Sequence, residues 1–391
     1  MLVLRKSKTL SYLILSASLL SSVAFAKESI ETVPHNLTAD QVYQGIKTNL
    51  ESNLYSLPPR VQGHYAIRQY RMTGEAKYAN GSLIDLLTIA EQQAFYNCNL
   101  DKPGFSKAES QKEVAKIKSG IRGDARKLAI APYPEFMFYS DILLRYASRV
   151  DEFGFKGPCH DLMIKTLKNA DLAPALTDKK MIKAWAAQLI NYVFWAKQMG
   201  VGDYYSAYKK AFINAYPDNE DASLDKSQYK NKIYGMTHFI FAASGYYQRP
   251  VNAKEYQWIL TYFEKNIDRI LKDTTEDIIT EVGIGFLITG NGNNPVVDKV
   301  KKHVIAAYNP KFKMIPSPKG EANLSSGEHR NVLAMMLLHW PDTLHKGPYL
   351  NNISSTKRYL PKLVTPKDVT TEANVTMNNV TMTNVAKANV H

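Results

Sequence analysis

The chain has 391 residues, 45% of them apolar, with 49 Lys and Arg against 36 Asp and Glu, a formal net charge of +13. Its basic residues are spread along the chain with no dense Lys/Arg block, which argues against nucleic acid and favours anionic neighbours such as acidic glycans, lipid headgroups or envelope polymers. Two cysteines, Cys98 and Cys159, without CxxC spacing exclude a disulfide-dense scaffold and a clustered redox or zinc motif.

Residues 1–26 read as a secretory signal. Arg5, Lys6 and Lys8 open it, Leu10 to Val23 form its apolar core, and Ala24-Phe25-Ala26 is a small-x-small cleavage site. The apolar run is short for a membrane span of about 20 residues. No later stretch is long and apolar enough to cross a bilayer, so the expected mature chain is periplasmic or secreted. Removing the leader removes three positive charges and brings the net charge to +10. In an oxidising compartment Cys98 and Cys159 can form a disulfide worth about 4 kcal/mol for a loop of this length, two buried thiols being the other reading.

From there the chain alternates helix-periodic segments with turns, and the expected domain spans 27–363. Thr38-Ala39-Asp40-Gln41 is a capping box, with Leu37 and Val42 as its hydrophobic staple. The first helix is expected to run to about Tyr55, before Pro58-Pro59. Val61 to Met72 and Lys77 to Tyr96 follow, split at Gly74. Residues 99–128 read as a charged loop with one exposed helix around Ser110 to Lys118.

Further helices are expected at Pro134 to Val150, Cys159 to Ala170, Lys180 to Met199, Tyr204 to Tyr216, Gln228 to Ser244, Ala253 to Leu271, Thr275 to Thr289 and Pro295 to Tyr308. Gly327 to Trp340 follows a second capping box, Ser325-Ser326-Gly327-Glu328. That makes twelve main helices and no convincing strand. Residues 364–391 are rich in Asn and Thr, hold few large apolar residues, and are expected to stay disordered.

Helix–turn–helix units recur. Tyr70 to Tyr78, Lys197 to Tyr205, and Ser244 to Tyr247 with the segment following it each join two helices near a Gly. One such hairpin cannot bury its apolar face alone and must stack on neighbours. The expected architecture is all-α, with about six helical hairpins closed into a ring; an open stack is the alternative.

Polar residues on otherwise apolar helices mark where chemistry can sit. Asp277 and Glu281 are four apart, and inside a cavity one carboxyl would rise into the range of a general acid/base. The surface reading is Asp277 in a favourable first turn and Glu281 in solvent. His238 follows Tyr234-Gly235-Met236-Thr237, and Gly235 is expected to leave space beside its imidazole. Glu328-His329-Arg330-Asn331 opens an apolar helix and could hold an anion, although Glu328 is explained as the capping-box glutamate. Arg60, His64 and Arg68 share one face suited to an acidic substrate. Gln188, Asn191 and Trp195 form a polar–aromatic stripe of the kind that holds sugars; a core role is the alternative. No cofactor is expected. Zinc on His238, Glu281 and His329 has no ligand spacing behind it, since the three lie on separate helices.

Hairpins of the Tyr-x-x-Thr-Gly-x-x-x-Tyr type resemble those of the six-hairpin alpha/alpha toroids, which include glycosidases, epimerases and polysaccharide lyases. Tyr234-Gly235-Met236-Thr237-His238, Thr280-Glu281-Val282-Gly283 and Gly327-Glu328-His329-Arg330-Asn331 are similar to an uncharacterised family of exported bacterial proteins, a domain of unknown function. The toroid resemblance implies a carbohydrate-active lyase or hydrolase acting on an acidic glycan. Asp277 and Glu281 would be its acid/base pair. His238 and His329 would assist proton transfer. Arg330, Arg68 and His64, with Gln188, Asn191 and Trp195, would bind substrate. The alternative is a non-catalytic ligand-binding or scaffold protein of the envelope.

Overall fold

The computed structural model describes residues 37–352, and within them the chain is helical, with no strand and one isolated bridge between Asn309 and Met314. The expected leader (1–26) and Asn/Thr-rich tail (364–391) lie outside the described residues.

Sixteen α-helices follow one another. They are α1 (Ala39–Asn53), α2 (Pro59–Thr73), α3 (Ala76–Gly81), α4 (Leu83–Asn97), α5 (Phe105–Ala115) and α6 (Ile121–Ile130). Next come α7 (Arg145–Glu152), α8 (His160–Asn169), α9 (Ala173–Thr177), α10 (Lys179–Gln198), α11 (Tyr205–Ala215) and α12 (Lys226–Ala243). The last four are α13 (Ala253–Asp273), α14 (Glu276–Ile288), α15 (Pro295–Ala307) and α16 (Leu324–Leu338). Directly before α7, Phe138–Leu144 winds as a π-helix, wider than an α-helix.

Local chemistry sets many boundaries. Thr38 caps α1 with the full reciprocal box, its hydroxyl taking Gln41 N–H and its own N–H donating to the Gln41 side chain. Gly74 ends α2 at φ 70°, a left-handed stop that a side chain would strain. Asp178, Asp225, Asn252 and Asn294 cap α10, α12, α13 and α15 through their side chains.

Helices α10, α12, α14 and α16 are buried on most sides, while α13 buries one stripe: Tyr256, Ile259, Leu260, Phe263, Ile267 and Ile270. That 3–4 spacing is the signature of an outer helix covering a core. Packing runs from α10 to α12, α12 to α14 and α14 to α16. Both α1 and α2 pack on α16, so the start of the described chain meets its end. Cys98 and Cys159 are joined by a disulfide.

Several sequence expectations need correction. There are sixteen helices among the described residues, not twelve. The expected helix Lys77 to Tyr96 is broken at Ser82, whose buried hydroxyl bonds back to the Ala79 carbonyl and competes with the helical ladder. The expected loop 99–128, with one helix around Ser110 to Lys118, holds two: α5, which starts earlier at Phe105, and most of α6. Phe105 anchors α5 against Phe138, and Arg126 anchors α6 by donating to the Ala184 carbonyl and stacking over Trp185. Charged anchors of this kind leave no apolar periodicity to read. Helix α16 begins at Leu324, capped by Asn323 accepting from Ser326 N–H, so Glu328 is not a capping-box residue.

Candidate functional site

A polar group on a helix buried all round is costly unless it is partnered. Helices α2, α10, α12, α14 and α16 carry such groups at one level. His64 and Arg68 come from α2, Asn191 from α10, Thr237 and His238 from α12, Glu281 from α14, and Glu328 with His329 from α16. Glu281 is 1% exposed and Glu328 3%.

His238 sits among aromatic and polar neighbours. Its Nδ1 lies 3.2 Å from Asn191 Oδ1 and 3.2 Å from the Tyr246 hydroxyl. An amide oxygen only accepts, so Nδ1 carries the hydrogen and Nε2 keeps its lone pair. That Nε2 is buried, has no hydrogen-bond partner among the described residues, and stands 3.9 Å from Glu281 Oε1. Tyr234, one turn earlier on α12, meets the imidazole edge-on at 4.4 Å. Burial pushes the His238 pKa down to about 4, against the opposing pull of Glu281.

Glu281 faces two histidines and a hydroxyl. Thr237 donates to its Oε2 at 2.7 Å, and His329 Nε2 lies 3.6 Å from its Oε1. Burial raises its pKa to about 7, opposed by His238 and the Thr237 hydrogen bond. Burial likewise lowers His329 to about 4, with Arg68 adding repulsion. The His329 side chain is 38% exposed, so water reaches it.

Glu328 forms the second acidic position. Burial raises its carboxyl to about 8, against the pull of Arg68 and Arg60. His64 approaches it at 2.7 Å and is itself held well below its usual range by burial and by Arg68. The His64 and His329 rings are 5.4 Å apart, which links the two acidic positions.

Arg68 supplies the charge. It is 7% exposed; among the described residues its Nε has no hydrogen-bond partner and its one bond is a long 3.5 Å contact to the His64 carbonyl. Its guanidinium lies 5.9 Å from the Tyr247 ring. Tyr246 and Tyr247 follow Gly245 in a turn where all three have left-handed φ, at 64°, 55° and 74°. Bulky residues seldom adopt that region, and such strain concentrates at functional sites. Arg71 clamps the turn by donating to the Tyr246 carbonyl at 2.9 Å while pairing with Glu152 at 2.8 Å.

Two cavities flank the cluster. One, of about 420 Å³, is lined by Tyr246, Trp195, His64 and five arginines (60, 68, 71, 145 and 149), of which Arg149, Arg71 and Arg145 pair with Asp85, Glu152 and Asp141. The other, of about 530 Å³, is lined by Tyr234, Gln188, Asp277 and Arg330. The structure therefore brings His238, Glu281, His329, Asn191, His64 and Arg68 together. Asp277 and Arg330 open instead into the Tyr234 cavity, although the Asp277 charge is still felt at Glu281. The stripe of Gln188, Asn191 and Trp195 divides among one cavity, the cluster and the other cavity. Gly235 does not make room for His238: a side-chain carbon there would meet Phe212 at 2.7 Å and Ala186 at 2.8 Å, so it lets α12 pack closely on α10 and α11.

Thr237, Tyr234 and Tyr246 have no site role in the sequence expectations, and Glu328 has chiefly that of a cap. Tyr234 does carry a signal, standing four residues before His238 on the same helix face. Glu328 was hidden by its resemblance to a cap. Among the described residues no group of three or more His, Cys, Asp and Glu is arranged to hold a metal ion.

The chain belongs to a family described as a domain of unknown function (DUF3541), whose model matches residues 39–367. No curated protein matches it, and no solved structure matches it.

Proposed function

We propose that this protein is an exported enzyme that cleaves an acidic glycan, and that it does so by elimination rather than hydrolysis. The carrying observation is the pairing of His238 and Glu281, 3.9 Å apart, with Arg68, whose charge is felt at both, in no ion pair among the described residues. Burial pushes the two pKa values in opposite directions, leaving a neutral imidazole beside a protonated carboxyl over a wide range of pH.

Elimination needs that combination. A uronate carboxylate neutralised by Arg68 makes the adjacent C–H more acidic. His238 Nε2 takes that proton, the electron pair forms the C=C bond, and the C–O bond to the leaving sugar breaks. Glu281 gives its proton to the departing oxygen. Asn191 fixes the imidazole tautomer, and Tyr246 holds the ring from the other cavity wall. Hydrolysis by a carboxyl pair needs one ionised member, and burial keeps both Glu281 and Glu328 protonated at mildly acid pH.

The packing of α16 on both α1 and α2 supports reading the helices as a closed alpha/alpha toroid with this cluster at its centre. The Cys98–Cys159 disulfide supports an oxidising, exported location.

The test incubates the mature chain with polyuronates and with neutral polysaccharides. Elimination creates an unsaturated uronate that absorbs in the ultraviolet, and His238→Ala is expected to reduce its formation at least about 100-fold. New reducing ends without that absorbance would make the enzyme a hydrolase. Tight binding without turnover would make it a binding protein of the envelope.

A further inference from the structure

We infer that the Tyr234 cavity is a second anion subsite, so that the ligand is a polyanion bearing acidic groups on both sides of the reacting bond. This rests on the proposed glycan function and extends it to the substrate's charge pattern.

His238 lies between the two cavities. Tyr246, which lines one, contacts its Nδ1, and Tyr234, which lines the other, meets its ring. On α16, His329 faces Glu281 while the next residue, Arg330, opens into the Tyr234 cavity. A linear ligand with one acidic group in each cavity would therefore have His238 between its two ends.

The cavities carry matching charge. Five cations line the Tyr234 cavity: Arg122, Arg126, Lys183, Lys230 and Arg330. Only two carboxylates, Asp225 and Asp277, oppose them, and Asp225 is occupied in capping α12. The Tyr246 cavity likewise has five arginines, of which Arg149, Arg71 and Arg145 pair with Asp85, Glu152 and Asp141, leaving Arg60 and Arg68. Each also holds a guanidinium with unmet bonding capacity, Nε of Arg68 on one side and Nε of Arg330 on the other, both buried and without a partner among the described residues. Desolvated N–H donors in a cationic recess suit carboxylate or sulfate, which arginine binds through paired hydrogen bonds. Gln188 and Tyr234 add neutral donors of the kind that hold sugar hydroxyls. A ligand with one acidic group would fill one cavity and leave the other cationic and empty.

The experiment measures binding of hexuronic acid tetrasaccharides and of disaccharides carrying a single carboxylate (one hexuronate joined to a neutral hexose) to the mature chain by calorimetry, beside tetrasaccharides whose carboxylates are methyl-esterified. The tetrasaccharide is expected to bind at least about tenfold tighter than the disaccharide, the gain from one further charge-assisted contact. Methyl-esterification should abolish that gain. In Arg330→Gln the ratio of tetrasaccharide to disaccharide affinity should fall about tenfold, whereas in Arg68→Gln both affinities should fall together and keep their ratio. Arg122→Gln guards against misfolding: Arg122 is exposed and makes no hydrogen bond among the described residues, and its variant should lower the ratio in the same direction. A ratio near one in the wild type, or a ratio unmoved by Arg330→Gln and Arg122→Gln, would falsify the second subsite. Length-dependent binding with no unsaturated product would leave the subsite standing and sink the elimination reading instead.

Discussion

Glu328 meets Nδ1 of His64 at 2.7 Å and so joins α16 to α2 across 264 residues of sequence. Burial drives both partners toward their neutral forms, raising the acid and lowering the base. The contact is therefore a neutral hydrogen bond, the carboxyl donating to the imidazole nitrogen. It fixes His64 beside Arg68 without adding a negative charge that would cancel the arginine's.

This makes stability depend on pH with a definite sign. The Glu328 carboxyl is raised in the folded chain to about 8 from an ordinary value of 4.5. Its contribution is fully present below the unfolded value and is lost as pH rises through about 8. Glu328→Gln cannot ionise, so its melting temperature relative to the wild type should climb as pH is raised across that window. Parallel melting curves at every pH would contradict the assignment.

Activity should follow a bell-shaped profile in kcat/KM. The base limb requires neutral His238 and is lost as pH falls through about 4; the acid limb requires protonated Glu281 and is lost as pH rises through about 7. Because the two groups interact, the measured values belong to the pair. Glu281→Gln should flatten the alkaline limb while lowering the maximum. Full activity persisting well into the alkaline range would remove Glu281 as the proton donor.

Arg71 holds Tyr246, Glu152 and the Gly347 carbonyl at once, while itself 1% exposed. Arg71→Met leaves the Glu152 carboxylate buried without its partner, a loss of about 3 kcal/mol. Chemical denaturation should show this as a lower midpoint. The left-handed turn should also relax and move the Tyr246 hydroxyl away from His238, so kcat should fall more than the stability loss alone explains. A variant as stable as the wild type would mean that Glu152 finds another donor.

Gly235→Ala tests the packing role of that glycine. The added methyl would lie 2.7 Å from Phe212 and 2.8 Å from Ala186. Overpacking of this kind costs about 1–3 kcal/mol. Denaturation should detect the loss, with the pH profile unchanged in shape because the imidazole is not touched. An unchanged midpoint would show that α11 yields easily.

Much of the helical frame is legible from local signals. Thr38 with Gln41, Gly74, and the apolar stripe of α13 each mark what the structure contains, because capping, left-handed stops and burial periodicity act over a few residues. The stretch 105–130 is legible only in part: one helix is expected around 110–118, where α5 ends, and α6 is not. Its two helices are held by Phe105 on Phe138 and Arg126 on Trp185, contacts made far along the chain. The candidate cluster divides in the same way. His238, Glu281 and His329 stand out as ionisable groups on apolar helices. Glu328 does not, since Ser325 and Ser326 imitate a cap three residues before it while the true cap is Asn323. Tyr246 is invisible because its position depends on a turn pinned by Arg71 from another helix.

The wide winding at Phe138–Leu144 immediately precedes Arg145 and Arg149. An α-helix advances by about 100° per residue, so the angular phase of α7 depends on how many residues that stretch contains. Deleting a single residue there would swing both arginines about a quarter turn off the cavity wall, altering its electrostatics while leaving every lining side chain chemically intact. Insertions and deletions at this point would thus change the charge facing the cavity without any substitution.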